Sequence, residues 1–271
     1  MIGNPSAREP VPDPAGPGPT PSGRATRRVL IVVAAEIEAA AVARGLGATP
    51  PSVPWDAANV ADDMELVISG IGKANAAGAV AAAIVRRPYA LVLNLGLAGA
   101  LPSRTGASGP PAFDLSPGDL VLATAHAFAD EGLGSPSGFT ACKDMGFPVA
   151  GTGHSAYRVD TIPGDPRWLG MFRDRDPPWA LRLATPERLT LAPIATVSTC
   201  SGTDRSACEV AERTGARAEA MEGAAAALVA WRLGVHYGEI RAISNTTGDR
   251  GRQVWDVPAA AAALGGLFSV G

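Results

Sequence analysis

Short apolar, β-branched runs recur along this chain, each followed by an alanine-rich stretch of helical character. That alternation narrows the fold more than any other feature. Residues 29–33 read Val-Leu-Ile-Val-Val, a run suited to a strand buried on both faces. Helical sequence follows over 36–46. Residues 65–69 read as a second strand, after which Gly70-Ile-Gly-Lys opens an alanine-rich helix that ends near Arg86-Arg87-Pro88. Further strands are expected at 90–95, 119–127, 191–197, 217–221 and 239–243, with helices near 205–214, 223–231 and 258–267. Such a pattern predicts an α/β fold: a central, twisted, mostly parallel sheet, partly barrel-like, flanked by helices on both sides. The chain shows no internal repeat.

At 271 residues the chain suits one large domain, expected over 26–271. Residues 1–25 are rich in Pro and Gly, cannot bury enough apolar surface to offset their ordering entropy, and are expected to be a disordered tail. Two stretches interrupt the alternation. Residues 102–117 form a Ser/Gly/Pro loop. Residues 130–178 are Gly/Pro-rich and carry Phe139, Phe147, Tyr157, Trp168 and Phe172, which read first as a satellite core, with one or two able to line a pocket. A net charge of −3 argues against nucleic-acid binding. No apolar run is long enough for a membrane span, and none stands at the start as a secretory leader. Cys142, Cys200 and Cys208 have no metal-like spacing with His126, His154 and His236, so no metal is expected and a reducing cytoplasm is the simplest setting.

Ligands of α/β sheets bind at the carboxyl ends of strands, and the polar residues there are the candidates. Ala220-Met221-Glu222-Gly-Ala places a carboxylate among small and apolar neighbours, where it needs a partner that a pair of sugar hydroxyls would supply. Arg241-Ala-Ile-Ser244-Asn245 places a hydroxyl and an amide at the next strand end, suited to a heterocycle. The Gly70-Ile71-Gly72 turn can present backbone N–H groups to a ligand, yet it is neither a dinucleotide fingerprint nor a P-loop. By local sequence alone Glu38 reads as a solvated carboxylate favoured at a helix N-terminus. His126 and His236 read as structural, and Asp249-Arg250 as a surface ion pair.

Taken in order, Glu38, Ser69-Gly-Ile-Gly-Lys-Ala-Asn75, Asn94-Leu-Gly-Leu-Ala-Gly99, Gly118-Asp-Leu-Val121, Ala220-Met-Glu222 and Arg241-Ala-Ile-Ser-Asn245 resemble the nucleoside phosphorylase/hydrolase superfamily. The likeness runs from about residue 28 to the C-terminus and is strongest to its futalosine hydrolases, enzymes of the alternative menaquinone pathway. The resemblance implies hydrolysis of the N-glycosidic bond of a purine nucleoside, with release of hypoxanthine, no cofactor, and a homo-oligomeric assembly. It assigns activation of the attacking water to Glu38. Met221 and Glu222 would hold the ribose, and Asn245 would contact N7 and the 6-substituent of the base. Gly70, Ile71, Gly72, Gly99 and Ser244 are the remaining candidate substrate contacts. Asn245 stands where adenine-specific relatives carry an aspartic acid; an amide can donate to O6 and accept from a protonated N7, which favours hypoxanthine. Residues 199–203, Thr-Cys-Ser-Gly-Thr, replace a stretch that elsewhere supplies a stacking aromatic. Lys73-Ala-Asn75 replaces the phosphate loop of the phosphorylases, and the first strand–helix turn has no arginine, so water is the expected acceptor. The rival readings are an aminofutalosine/methylthioadenosine-type nucleosidase, a purine nucleoside phosphorylase, and a nucleoside-binding module without turnover.

Overall fold

Val29–Val33 forms strand β1, buried along its whole length as its unbroken apolar sequence requires. The computed structural model describes residues 27–103, 111–147, 149, 160–174, 183–184 and 189–268, and the tail expected at 1–25 lies outside them. After β1 come α1 (Glu36–Gly45), β2 (Ala58–Ala61), β3 (Met64–Ile68), α2 (Lys73–Arg86) and β4 (Leu91–Ala100). β5 (Leu120–Phe128), the hairpin β6 (Gly132–Ser135) and β7 (Gly138–Ala141), β8 (Thr161–Pro163) and α3 (Pro166–Asp174) follow. The last part holds β9 (Leu189–Thr196), α4 (Asp204–Thr214), β10 (Ala218–Ala220), α5 (Gly223–Arg232), β11 (His236–Thr246) and α6 (Val257–Gly266).

The main sheet runs β10-β9-β5-β11-β4-β1-β3-β2, and β10 also pairs with β4. That second pairing closes β4, β11, β5, β9 and β10 into a ring, with β1, β3 and β2 extending from it as a wing. The barrel-like expectation therefore holds. The directions are more mixed than expected: β1–β3, β1–β4, β4–β11, β5–β9 and β9–β10 are parallel, while β5–β11 and β4–β10 are antiparallel. β11 runs parallel to β4 and antiparallel to β5, so β5 runs opposite to both.

Two strands outrun their expected ends. β4 does not stop before Gly96 but continues to Ala100. A Cβ on Gly96 would meet the Arg241 guanidinium and lie 2.7 Å from Glu38 Oε1, so the bare glycine lets polar side chains lie against a strand that never breaks. β11 extends over His236–Thr246, and its register against β4 shifts between Ile243 and Asn245. Ser244 is the extra residue of that bulge, a device that re-aims the side chain beside it.

The core lies on both faces of the sheet. Val29, Ile31 and Val33 of β1 pack with Ala39 and Val42 of α1 and Leu264 of α6. Leu30 and Val32 point the other way, onto Ala76 and Val80 of α2 and Ala224–Ala227 of α5. Trp168 of α3 joins the first cluster and meets Phe172 edge-on at 5.0 Å, as a core aromatic should. Phe139 instead lies under the Arg213 guanidinium, and Phe147 is exposed. Tyr157 lies outside the described residues.

Candidate active site

The fold brings four strand ends to one edge of the sheet: Glu38 just past β1, the glycine turn past β3, Glu222 past β10, and Ser244–Asn245 at the end of β11. Glu38 is not the solvated residue its local sequence suggests, being only 5% exposed. Its Oε2 accepts the backbone N–H of Ala34 at 2.8 Å and of Ala35 at 2.9 Å, capping α1 from within its own first turn. Its Oε1 accepts the N–H of Leu97, on β4, at 2.7 Å. Burial raises the pKa of Glu38, with the Arg241 charge and the Leu97 N–H pulling it back and Glu222 pushing it up. The result is a desolvated carboxylate clamped by three backbone donors.

Arg241 organises the rest. It is fully buried in β11, its Nε donating to Glu239 at 2.8 Å, one terminal nitrogen to Glu222 Oε2 at 3.2 Å and the other to Asn94 Oδ1 at 3.0 Å. Burial alone would lower its pKa, but Glu239, Glu222 and Glu38 together raise it, so it stays charged. Burial pushes the Glu239 carboxyl up, yet Arg241 and His126 hold it below its ordinary value. His126 Nδ1–H donates to Glu239 Oε2 over 2.6 Å, and its ring meets Tyr237 edge-on, the structural role expected of it. His236 likewise pairs with Asp165, at the opposite end of β11.

Glu222 takes two further donors: Gly72 N–H at 3.0 Å on Oε1 and Met221 N–H at 3.2 Å on Oε2. The glycine turn thus reaches the site through Glu222. Gly70 and Gly72 both have positive φ, Ile71 is exposed, and Asn75 Nδ2 pins the turn by donating to Ile71 O at 2.8 Å. The cation beside the turn, Lys73, is engaged by Asp130 and by Glu131, the latter at 2.9 Å. At the other side of the site Ser244 Oγ donates to Asn245 Oδ1 at 2.8 Å, and Asn245 Nδ2 donates to Thr246 O at 2.9 Å. One lone pair on Oδ1 and one hydrogen on Nδ2 remain for a ligand. Gly99 lies buried beside them on β4, opposite Asn245. Asp249 pairs with Arg252 rather than Arg250, because Arg250 lies over the Trp255 ring. Among the described residues no group of three or more His, Cys, Asp or Glu is placed to hold a metal.

The family model of the Phosphorylase superfamily matches residues 28–267. A futalosine hydrolase from Acidothermus cellulolyticus is 38% identical over 243 residues, covering 89% of this chain and 88% of that protein. The chain belongs to the futalosine hydrolase family of the phosphorylase superfamily. A second family member, from Streptomyces coelicolor, is 33% identical over 245 residues, covering 87% of this chain and 91% of its own. Among solved structures, a 5'-methylthioadenosine/S-adenosylhomocysteine nucleosidase from Neisseria meningitidis in complex with methylthio-immucillin-A superimposes with a TM-score of 0.65 at 20% identity, covering 90% of this chain and 97% of that one. The futalosine hydrolase mutant of Helicobacter pylori strain 26695 gives a TM-score of 0.63 at 18% identity, covering 88% and 95%. At these identities the likeness is one of fold, and it agrees with the ring and wing described above.

Sequence reasoning on this futalosine hydrolase family member missed the buried network around Arg241. The signal was present in Glu239-Ile-Arg241: two charges on one face of an otherwise apolar strand must meet partners indoors. It also passed over Glu219, whose partner Ser201 belongs to the stretch that lacks a stacking aromatic.

Proposed function

We propose that this protein hydrolyses the N-glycosidic bond of futalosine, releasing hypoxanthine and dehypoxanthine futalosine, with Glu38, Glu222 and Asn245 as its principal site residues. The observation that carries the reading is the convergence of two buried carboxylates, Glu38 and Glu222, on Arg241, with Asn245 four residues further along the same strand. Cleavage of the bond builds cationic character on the sugar and negative charge on the departing purine. Glu38 stabilises the first charge and takes a proton from the water that traps the sugar. Glu222 accepts hydrogen bonds from the two ribose hydroxyls, beside Met221. The free lone pair and hydrogen of Asn245 meet N7 and O6, and Ser244 fixes the amide for that task.

Water as acceptor is supported by the state of the cations. Arg241 is already shared by Glu239, Glu222 and Asn94, and Lys73 by Asp130 and Glu131, which leaves neither free for a phosphate dianion. We read the protein further as a cytoplasmic homo-oligomer. Its three cysteines stand as free thiols, and no helix among the described residues is long and apolar enough to cross a membrane. The deciding experiment is incubation with futalosine and with inosine, with and without phosphate, followed by chromatography. Hypoxanthine release from futalosine independent of phosphate is expected. Release that requires phosphate would make the protein a phosphorylase, and a bound nucleoside with no release would make it a binding module.

A further inference from the structure

Asn245, Gly99 and Glu219 form one row across three strands. Gly99 of β4 pairs with Asn245 of β11 on one side and with Glu219 of β10 on the other. A methyl group on Gly99 would lie 2.8 Å from Thr247 Cγ2, 3.3 Å from Asn245 Nδ2 and 3.7 Å from Glu219 Cγ, so the Thr247 methyl covers the bare glycine and the Asn245 and Glu219 side chains meet around it. Glu219 is as buried as the other carboxylates of the site, at 4% exposure. Its Oε1 accepts Ser201 N–H at 2.7 Å and its Oε2 accepts Ser201 Oγ–H at 2.7 Å. Among the described residues no cation pairs with it, and burial raises its pKa. Each oxygen keeps a free lone pair, and one more N–H donor would stabilise the ionised form.

A 6-oxopurine presents N7, O6 and N1–H in sequence around its edge. With Asn245 on N7 and O6, the next group round the ring is a donor, and the next polar residue in the row, Glu219, is an acceptor with a lone pair left on each oxygen. Adenine differs at that atom, because its N1 is a bare lone pair that a carboxylate repels. Resting on the hypoxanthine-releasing function proposed above, we infer that Glu219 accepts the N1–H of a 6-oxopurine and is a specificity-determining residue that selects hypoxanthine over adenine. Asn245 alone cannot make that choice cleanly, since an amide can turn over to suit either 6-substituent. A carboxylate cannot turn into a donor without taking a proton.

The test is calorimetric titration of hypoxanthine, 1-methylhypoxanthine and adenine into the wild-type protein and into Glu219→Gln. Wild type should bind hypoxanthine about 10- to 100-fold more tightly than 1-methylhypoxanthine, the range for a hydrogen bond to a charged group. Glu219→Gln should lower the preference for hypoxanthine over adenine by about tenfold or more, because its amide can donate to adenine N1. A role confined to anchoring Ser201 would weaken all three bases alike and leave that ratio unmoved, which would overturn the inference. So would equal binding of hypoxanthine and 1-methylhypoxanthine by wild type, a comparison that needs no variant. Wild-type protein that binds no purine base and releases none fails in a distinguishable way, by removing the proposed function itself.

Discussion

Glu38 holds three N–H donors on two oxygens, and a glutamine at that position can satisfy only one side of them. Glu38→Gln should therefore lose about 1–3 kcal/mol of stability from a backbone donor left facing an amide, read by urea denaturation. It should separately lose about 10²–10⁴ in kcat as general-base assistance is removed; a variant that keeps near-normal turnover would take Glu38 out of the chemistry. The base must be ionised to act, and burial raises the pKa of Glu38. Activity should accordingly fall as the pH drops through a value above the ordinary carboxylate range, seen as the acid limb of kcat/KM. Asn245→Asp should shift the preference from hypoxanthine towards adenine, since a carboxyl can protonate N7 and accept from a 6-amino group while O6 would face an acceptor; the ratio of the two kcat/KM values reports it. Glu222 and Asn245 were legible from sequence because each is a polar residue among small or apolar ones at a strand end. Glu38 stood out only through the family resemblance and not by its local sequence, because the third of its donors, Leu97, is 59 residues away and no local pattern announces it. Glu219 was hidden for the same reason, its site partners lying on strands that meet only in the closed ring.

The glycine turn before α2 is the element most exposed to a single change. Gly72 has φ of 97° and ψ of 164°, a region open essentially to glycine alone, and its N–H holds Glu222. Gly72→Ala should cost about 1–3 kcal/mol and raise KM more than it lowers kcat, since it loosens the ribose partner and leaves Glu38 in place. An unchanged KM would separate the turn from the sugar. Strand and helix order was readable from the apolar runs because β-branched runs and alanine-rich stretches have different periods and different neighbours. The lengths of β4 and β11 were not readable. Gly96 looked like a terminator, yet its missing side chain lets β4 pass beneath Arg241 and Glu38. The bulge at Ser244 likewise has no sequence mark, being a mismatch of register between two strands far apart in the chain.

At the scale of the molecule, Ile37 and Ile71 stand 48% and 61% exposed beyond the ends of β1 and β3, flanking Glu38 and the glycine turn. If this rim meets a second copy, light scattering should give a mass above one chain, and Ile71→Lys should shift it towards the monomer with a rise in KM. A monomer with full activity would refute the assembly. The mixed α/β architecture, its partly barrel-like character and the strand near 217–221 were legible, but the pairings that close the ring were not, because β10 pairs with β9 on one side and β4 on the other through registers between segments far apart in the chain. Only Ala218↔Ala100 and Glu219↔Gly99 join β10 to β4, whereas β11 meets β4 along nearly its whole length. The barrel is thus fastened most lightly at the seam where the base is proposed to sit. Amides along that seam should exchange with deuterium sooner than those of β11, and a bound purine should slow them, as read by mass spectrometry. A nucleoside bridging Asn245 and Glu219 would then act as the missing rung of the ladder, so that the enzyme resists proteolysis best while it is at work and is most easily opened when starved.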